Sequence, residues 1–151
     1  MIAFFLGYFL KGRVPLVAKL FRKPKPPIVQ IEAFTDGLLN VVPIFQKLGK
    51  IPPGQFDDVK KHYIGMRVRC VGTFSSVHRL PNDYIEDHKL KEDSVDVSME
   101  TFGYHINTIL SLSQYPQLVI LERNTLLTIE GSISKISSIV SIEIADAKLF
   151  F

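Results

Sequence analysis

Tyr63-Ile64-Gly65-Met66-Arg67-Val68-Arg69-Cys70-Val71-Gly72 is the stretch on which the fold turns. Val68 and Cys70 alternate with Arg67 and Arg69, and a side-chain period of two belongs to an extended strand with one face buried. The strand is expected to run through Gly72 to about Val77. The same alternation returns downstream. Val95, Val97 and Met99 alternate with Asp96, Ser98 and Glu100 in a second strand, and His105 to Leu112 reads as a third. Leu127, Ile129, Gly131 and Ile133 mark a fourth, and Val140, Ile142, Ile144, Ala147 and Leu149 a fifth. Between them lie a polar loop over 79–93 with Pro81-Asn82-Asp83 as turn material, a bend or bulge at Phe102-Gly103-Tyr104, and a short helix or irregular connection over 113–123.

Three strands, a connection and two more strands is the order that a five-stranded Greek-key barrel of the OB-fold kind requires. Gly72 and Gly131 suit it, because strands of a small barrel coil sharply and glycine relieves crowding at the corners. The fold class expected is therefore mainly β, an OB-fold Greek-key barrel over 55–151 preceded by an N-terminal helical arm. Upstream, Phe34, Leu38, Val41, Phe45 and Leu48 recur at steps of three and four. That spacing predicts a helix packing one face, kinked at Pro43 and stopped at Gly49, before the loop Ile51-Pro52-Pro53-Gly54. Lys23-Pro24-Lys25-Pro26-Pro27 reads as a solvated linker. The chain thus divides into an arm with its linker (1–27), a helix and loop (28–54) and the barrel (55–151).

Charge is distributed unevenly. The formal net charge of +3 hides six cations in residues 1–31 (Lys11, Arg13, Lys19, Arg22, Lys23 and Lys25) with no acid among them, so the rest of the chain is net acidic. Residues 1–10 form an apolar block, about 15 Å long as a helix and roughly half a bilayer core. The charges that follow make a longer span costly, and their position after the apolar block does not match a secretory signal. On a helical wheel Lys11, Lys19, Arg22 and Lys23 oppose Leu6, Leu10, Val17 and Phe21, with Arg13 the exception. This basic amphipathic pattern marks Phe5, Leu6, Phe9, Leu10, Lys11, Lys19, Arg22 and Lys23 as candidates for membrane contact. An arm packed on the chain's own barrel or on a partner is the competing reading. If lipid is the contact, the positive cluster favours the cytoplasmic face, and the location expected is cytoplasmic or membrane-associated on that side.

Tyr63 to Val68 with Gly72, Leu126-Leu127-Thr128-Ile129-Glu130-Gly131-Ser132-Ile133, and Ile142-Glu143-Ile144-Ala145-Asp146-Ala147 together resemble the tRNA_anti-like OB-fold family. Gln55-Phe56-Asp57-Asp58-Val59 resembles the short lead-in helix usual there. The resemblance spans about 55–151 and implies the barrel fold, while saying little about function.

Enzymatic readings find little support. The four histidines, His62, His78, His88 and His105, fall on separate predicted elements and in no nucleophile, metalloprotease or phosphotransfer motif. The loop group His78, Asp83, Glu86, Asp87 and His88 reads as a solvated loop before it reads as a metal site. The single cysteine, Cys70, reads as a buried structural thiol. No cofactor and no metal is expected, and the chain reads as a binding module for a protein or other ligand.

OB folds commonly take oligonucleotides on strands two and three, between the loops joining strands one to two and four to five. Arg67, Arg69, Arg79, Lys89 and Lys91 could meet phosphates there, and Phe102 and Tyr104 could stack on bases unless they plug the barrel. Against this, Asp96, Glu100 and Glu130 face outward, the barrel carries no net positive charge, and the loop near Ser137 and Ser138 is too short to wall a groove. The reading favoured is a membrane- or partner-tethered interaction domain. Single-stranded nucleic acid, held with help from the basic arm, is the alternative.

Overall fold

The computed structural model describes residues 36–151, so the eight membrane-contact candidates of the arm lie outside the described residues. The described chain runs β1 (Leu39–Asn40), α1 (Val41–Leu48), a 3-10 turn (Pro53–Gln55), α2 (Phe56–Lys60), β2 (Arg67–Arg79), α3 (Asn82–Asp87), β3 (Ser94–Thr101), β4 (Tyr104–Ser111), a second 3-10 turn (Pro116–Val119), β5 (Leu126–Ser138) and β6 (Ser141–Phe150). The strands hydrogen-bond in the order β1-β2-β3-β4-β6-β5, and β5 closes back onto β2. β4 and β6 run parallel, with Ile106 opposite Ile142, while the other pairs of the ring are antiparallel. This is a five-stranded mixed closed barrel of the OB fold, with β1 as a two-residue addition at the edge.

Closure depends on β2 serving two neighbours. Its first half pairs with β5, from Arg67 opposite Ser132 to Thr73 opposite Leu126, and its second half pairs with β3, from Thr73 opposite Glu100 to Arg79 opposite Val95. Gly72 lies at the crossover, where an added Cβ would collide with the Glu100 carbonyl oxygen and the Met99 methyl. Gly131 lies at a register shift between β5 and β6, where a Cβ would sit 2.5 Å from both the Ala145 oxygen and Ile144 Cγ2. Both glycines are needed because two backbones approach closely.

β2 begins at Arg67 rather than at Tyr63. Tyr63 is buried in the turn after α2, and Gly65, at φ 85°, reverses the chain and donates its N–H to the Ile133 oxygen at 2.8 Å. Period-two patterning cannot see such a turn when its one buried residue happens to fall in phase. The helix predicted over 34–48 is likewise shorter. Leu39 is already extended opposite Val68, and Asn40, at φ −78° and ψ 129°, caps α1 by accepting the Val42 N–H at 3.0 Å. Phe34 lies outside the described residues. Pro43 falls in the first turn, where an N–H has no intrahelical partner to lose, so no kink is required. Of the face predicted for burial, Val41, Phe45 and Leu48 join the barrel core, and Ile44, which the predicted spacing did not include, joins them.

The polar loop expected over 79–93 carries α3, anchored by buried Ile85. Asp93 then ties this loop to the end of β4. Its Oδ2 accepts from Ser111 Oγ at 2.7 Å and from the Ser113 N–H at 2.6 Å, and these bonds pull its carboxyl from 3.8 to about 2. A depressed carboxyl contributes stability that is whole above its unfolded pKa and is lost as pH falls through its folded one. Urea midpoints followed downward in pH should therefore fall in the window from 3.8 to about 2. Asp93→Ala is expected to be less stable at neutral pH and to lack that part of the acid loss.

Candidate ligand groove

The outward side chains of β3 and β4 form one surface. Asp96 stands opposite Ile109, Ser98 opposite Asn107 and Glu100 opposite His105. β2 adds His78 beside Asp96, and β6 adds Glu143 beside Asn107. Ser98 Oγ donates to Asn107 Oδ1 at 2.7 Å, which fixes the floor of the site.

Over part of this surface lies a groove of about 830 Å³. Leu80, Tyr84 and Leu90, from the loop carrying α3, form one wall, and Glu143, Ala145, Asp146 and Lys148 on β6, with Ser134 on β5, form the other. Asp96, Asn107 and Ile109 make the floor. The first wall is held from behind. Ile85 is buried, the Leu90 N–H donates to the Ile85 oxygen at 2.9 Å, and the Tyr84 ring stacks on His88 at 4.0 Å. The loop between β5 and β6 is indeed tight, only Ile139 and Val140 between the paired Ser138 and Ser141. A wall exists nonetheless, because β6 runs beside β4 and the β5–β6 ribbon stands along the surface by itself. The strands supply the wall that the short loop cannot.

The groove is amphipathic and acidic. Asp96, Glu143 and Asp146 line it against one cation, Lys148. Burial pushes the Asp96 carboxyl upward; nearby His78 acts in the opposite direction, and Glu143 adds to the rise. Glu143 is paired with Lys135 at 3.2 Å across the β5–β6 ribbon. Among the described residues no group of three or more His, Cys, Asp or Glu is placed to hold a metal ion. His78 Nε2 lies 3.0 Å from Ser76 Oγ, and His88 Nδ1 lies 2.9 Å from the Tyr84 oxygen.

The seven ligand-face candidates from sequence are not brought together. Arg69 lies on the β2–β5 seam, across the ring from β4, and bonds Asp36 at 2.5 Å and Glu130 at 2.6 Å. Glu130, expected to repel a polyanion, is engaged by that guanidinium instead. Arg67 is exposed on the same seam, opposite Ser132. Arg79, Lys89 and Lys91 are exposed on the loop that walls the groove, but over 79–93 those three cations meet five acids. Tyr104 has one ring face covered by Phe45, with centroids 4.4 Å apart and planes parallel to 1°. Phe102 is 86% exposed at the β3–β4 tip.

The groove residues Leu80, Tyr84, Leu90, Asn107, Ile109 and Glu143 were not singled out from sequence. Four apolar residues, Leu80, Tyr84, Ile85 and Leu90, inside an otherwise polar loop were the available signal.

Comparison with known proteins bears on the fold. No family model matches the chain, and no curated protein matches it. Among solved structures, a lipoprotein of Klebsiella pneumoniae subsp. pneumoniae, described as a candidate nucleic acid-binding protein, superposes with a TM-score of 0.53 at 12% identity, over 85% of this chain and 100% of the other. A candidate aspartyl-tRNA synthetase of Leishmania major gives a TM-score of 0.42 at 6% identity, over 92% of this chain and 26% of that one. The first likeness is one of fold. Among the described residues no helix is long and apolar enough to cross a membrane.

Proposed function

We propose that this chain is a non-enzymatic OB-fold binding module that receives an extended, cation-bearing segment of a partner protein in the groove over β3 and β4, with the arm serving as tether. The observation that carries this reading is the lining itself. Leu80, Tyr84, Leu90 and Ile109 offer apolar area, while Asp96, Glu143 and Asp146 outnumber Lys148. A polyanion would meet a field of its own sign there, whereas a lysine or arginine between apolar side chains would meet a complementary one.

Fluorescence anisotropy with two probes of matched length, an alternating Lys-Leu peptide and oligo(dT), tests the reading. The peptide is expected to bind, and the double variant Asp96→Asn/Glu143→Gln to weaken it roughly tenfold. Peptide binding should also weaken as pH falls toward the raised range of Asp96, because a bound cation favours its ionised form. Peptide affinity unchanged in the double variant would remove the acidic groove from the reading.

A single-stranded nucleic-acid ligand is the second reading. Exposed Arg79, Lys89 and Lys91 beside the groove favour it, as does the role ascribed to the Klebsiella lipoprotein. It requires salt-dependent oligo(dT) binding that is lost when these three residues become glutamate.

A further inference from the structure

β4 and β6 close the ring only along their first halves. Their parallel pairing runs from His105 opposite Ser141 to Thr108 opposite Ile144 and stops, although β4 continues to Ser111 and β6 to Phe150. Beyond that point each strand keeps its other neighbour: β3 pairs with β4 as far as Ser111, and β5 with β6 as far as Phe150. Residues 109–111 and 145–148 are therefore two strand edges, each backed by a partner on one side and by no strand among the described residues on the other. The divergence has a local cause in β6. Glu130 stands opposite Lys148 and Ser132 opposite Ala145, so Asp146 and Ala147 together oppose Gly131 in a β-bulge, with Asp146 at a left-handed φ of 51°. A bulge bends the strand that carries it, which turns β6 off the line of β4.

Side chains hold the two ends of this opening. At one end Thr108 Oγ1 donates to the Ile144 oxygen at 2.8 Å, and at the other the Leu149 N–H donates to Tyr115 Oη at 3.2 Å. These are bonds that a neighbouring strand would otherwise supply. Between them the groove reaches inward. Its lining takes in Ile109, Leu110 and Ser111 from one edge and Ala145 to Lys148 from the other, and Leu110 belongs to the barrel core. Ala145 and Ala147 are too small to cover the main chain of β6, and main-chain groups left at a sheet edge are a template for another strand.

We propose that the partner segment of the groove reading, on which this inference rests, enters as a β-strand between β4 and β6 and hydrogen-bonds through its main chain to both edges. β4 and β6 run the same way, so one inserted strand can lie antiparallel to both, the orientation with the stronger ladder. The edge from Ala145 to Lys148 gives it about 13 Å, or about four residues at about 3.3 Å each. Successive side chains of a strand point to opposite faces. Those turned outward meet Asp96, Glu143 and Asp146, which select cations, and those turned inward meet Leu110 and Ile144, which select apolar residues. The occupant is thus an alternating cationic and apolar segment, read in the extended conformation.

Three versions of the alternating Lys-Leu peptide, titrated by fluorescence anisotropy against the full chain, test this: one with every amide intact, one with an ester in place of each leucine N–H, and one with an ester in place of each lysine N–H. An ester keeps the shape of the chain and removes a donor. Insertion between two edges predicts that both ester series bind roughly tenfold more weakly, since each set of N–H groups faces one edge. Hydrogen exchange of the protein's own amides should slow within both 109–111 and 145–148 when the intact peptide is bound. Loss in one series alone would mean addition to a single edge, loss in neither would mean recognition by side chains, and exchange unchanged at both edges would mean no ladder; each overturns the insertion. If the intact peptide binds and responds to Asp96→Asn/Glu143→Gln while both ester series bind equally well, the insertion fails and the groove reading stands. If the intact peptide does not bind, both fail.

Discussion

Replacing Gly131 with alanine is expected to cost about 3 kcal/mol or more, one of the largest losses available from a single methyl in this chain. The added carbon would lie 2.5 Å from the Ala145 oxygen, 2.5 Å from Ile144 Cγ2 and 3.2 Å from Ala147 Cα. Two of these three atoms are backbone, so no side-chain rotation relieves the clash. β5 and β6 must part, at a point where their register already shifts between Glu130 and Ser132. Because β5 also closes the ring onto β2, parting them strains the Arg69 and Cys70 pairings with Glu130 and Ile129 as well. Gly54→Ala is the control, since an added Cβ there meets nothing within 4 Å. Urea unfolding of the two variants measures the difference. A loss below about 1 kcal/mol at Gly131 would mean that the two strands are not held this close.

Phe45→Ala is expected to cost about 3–5 kcal/mol, the range for removing a fully buried aromatic side chain. Phe45 is 1% exposed and stacks face to face on Tyr104. It is the largest side chain that α1 contributes to a core shared with Val68, Met99 and Ile106. Truncation leaves a cavity at the end of the barrel and uncovers the Tyr104 ring. Since α1 belongs to that core, unfolding should remain a single transition at a lower midpoint. Two separate transitions, α1 first and the barrel later, would show that the helix is an appendage. Tyr104→Phe retains the stacked ring and is expected to stay within about 0.5 kcal/mol of the parent.

The barrel was legible in the sequence because each strand has one face in the core, and burial imposes the period of two directly on residue choice. Val95, Val97 and Met99 are buried between Asp96, Ser98 and Glu100, as their alternation predicts. Gly72 and Gly131 were legible for a related reason, since close approach of strands admits no other residue. Boundaries were less so: Asn40 opens α1 by a single capping bond, and nothing in the apolar spacing from Phe34 to Leu48 registers that bond.

Site residues were harder to read, because the groove is made by neighbours distant in sequence. Tyr84, Ile109 and Glu143 meet only after the ring closes. Charge on a strand also says nothing of its partner, and Arg69, outward as expected, spends its guanidinium on Asp36 and Glu130.

The most direct test of the groove reading is an amide NMR titration of the full chain with the Lys-Leu peptide and with oligo(dT). Binding in the groove predicts that the peptide shifts the amides of Asn107, Ile109, Glu143 and Ala145 and leaves those of Arg67 and Val71 on the far seam unmoved. Oligo(dT) shifting the groove amides while the peptide shifts none of them would contradict it.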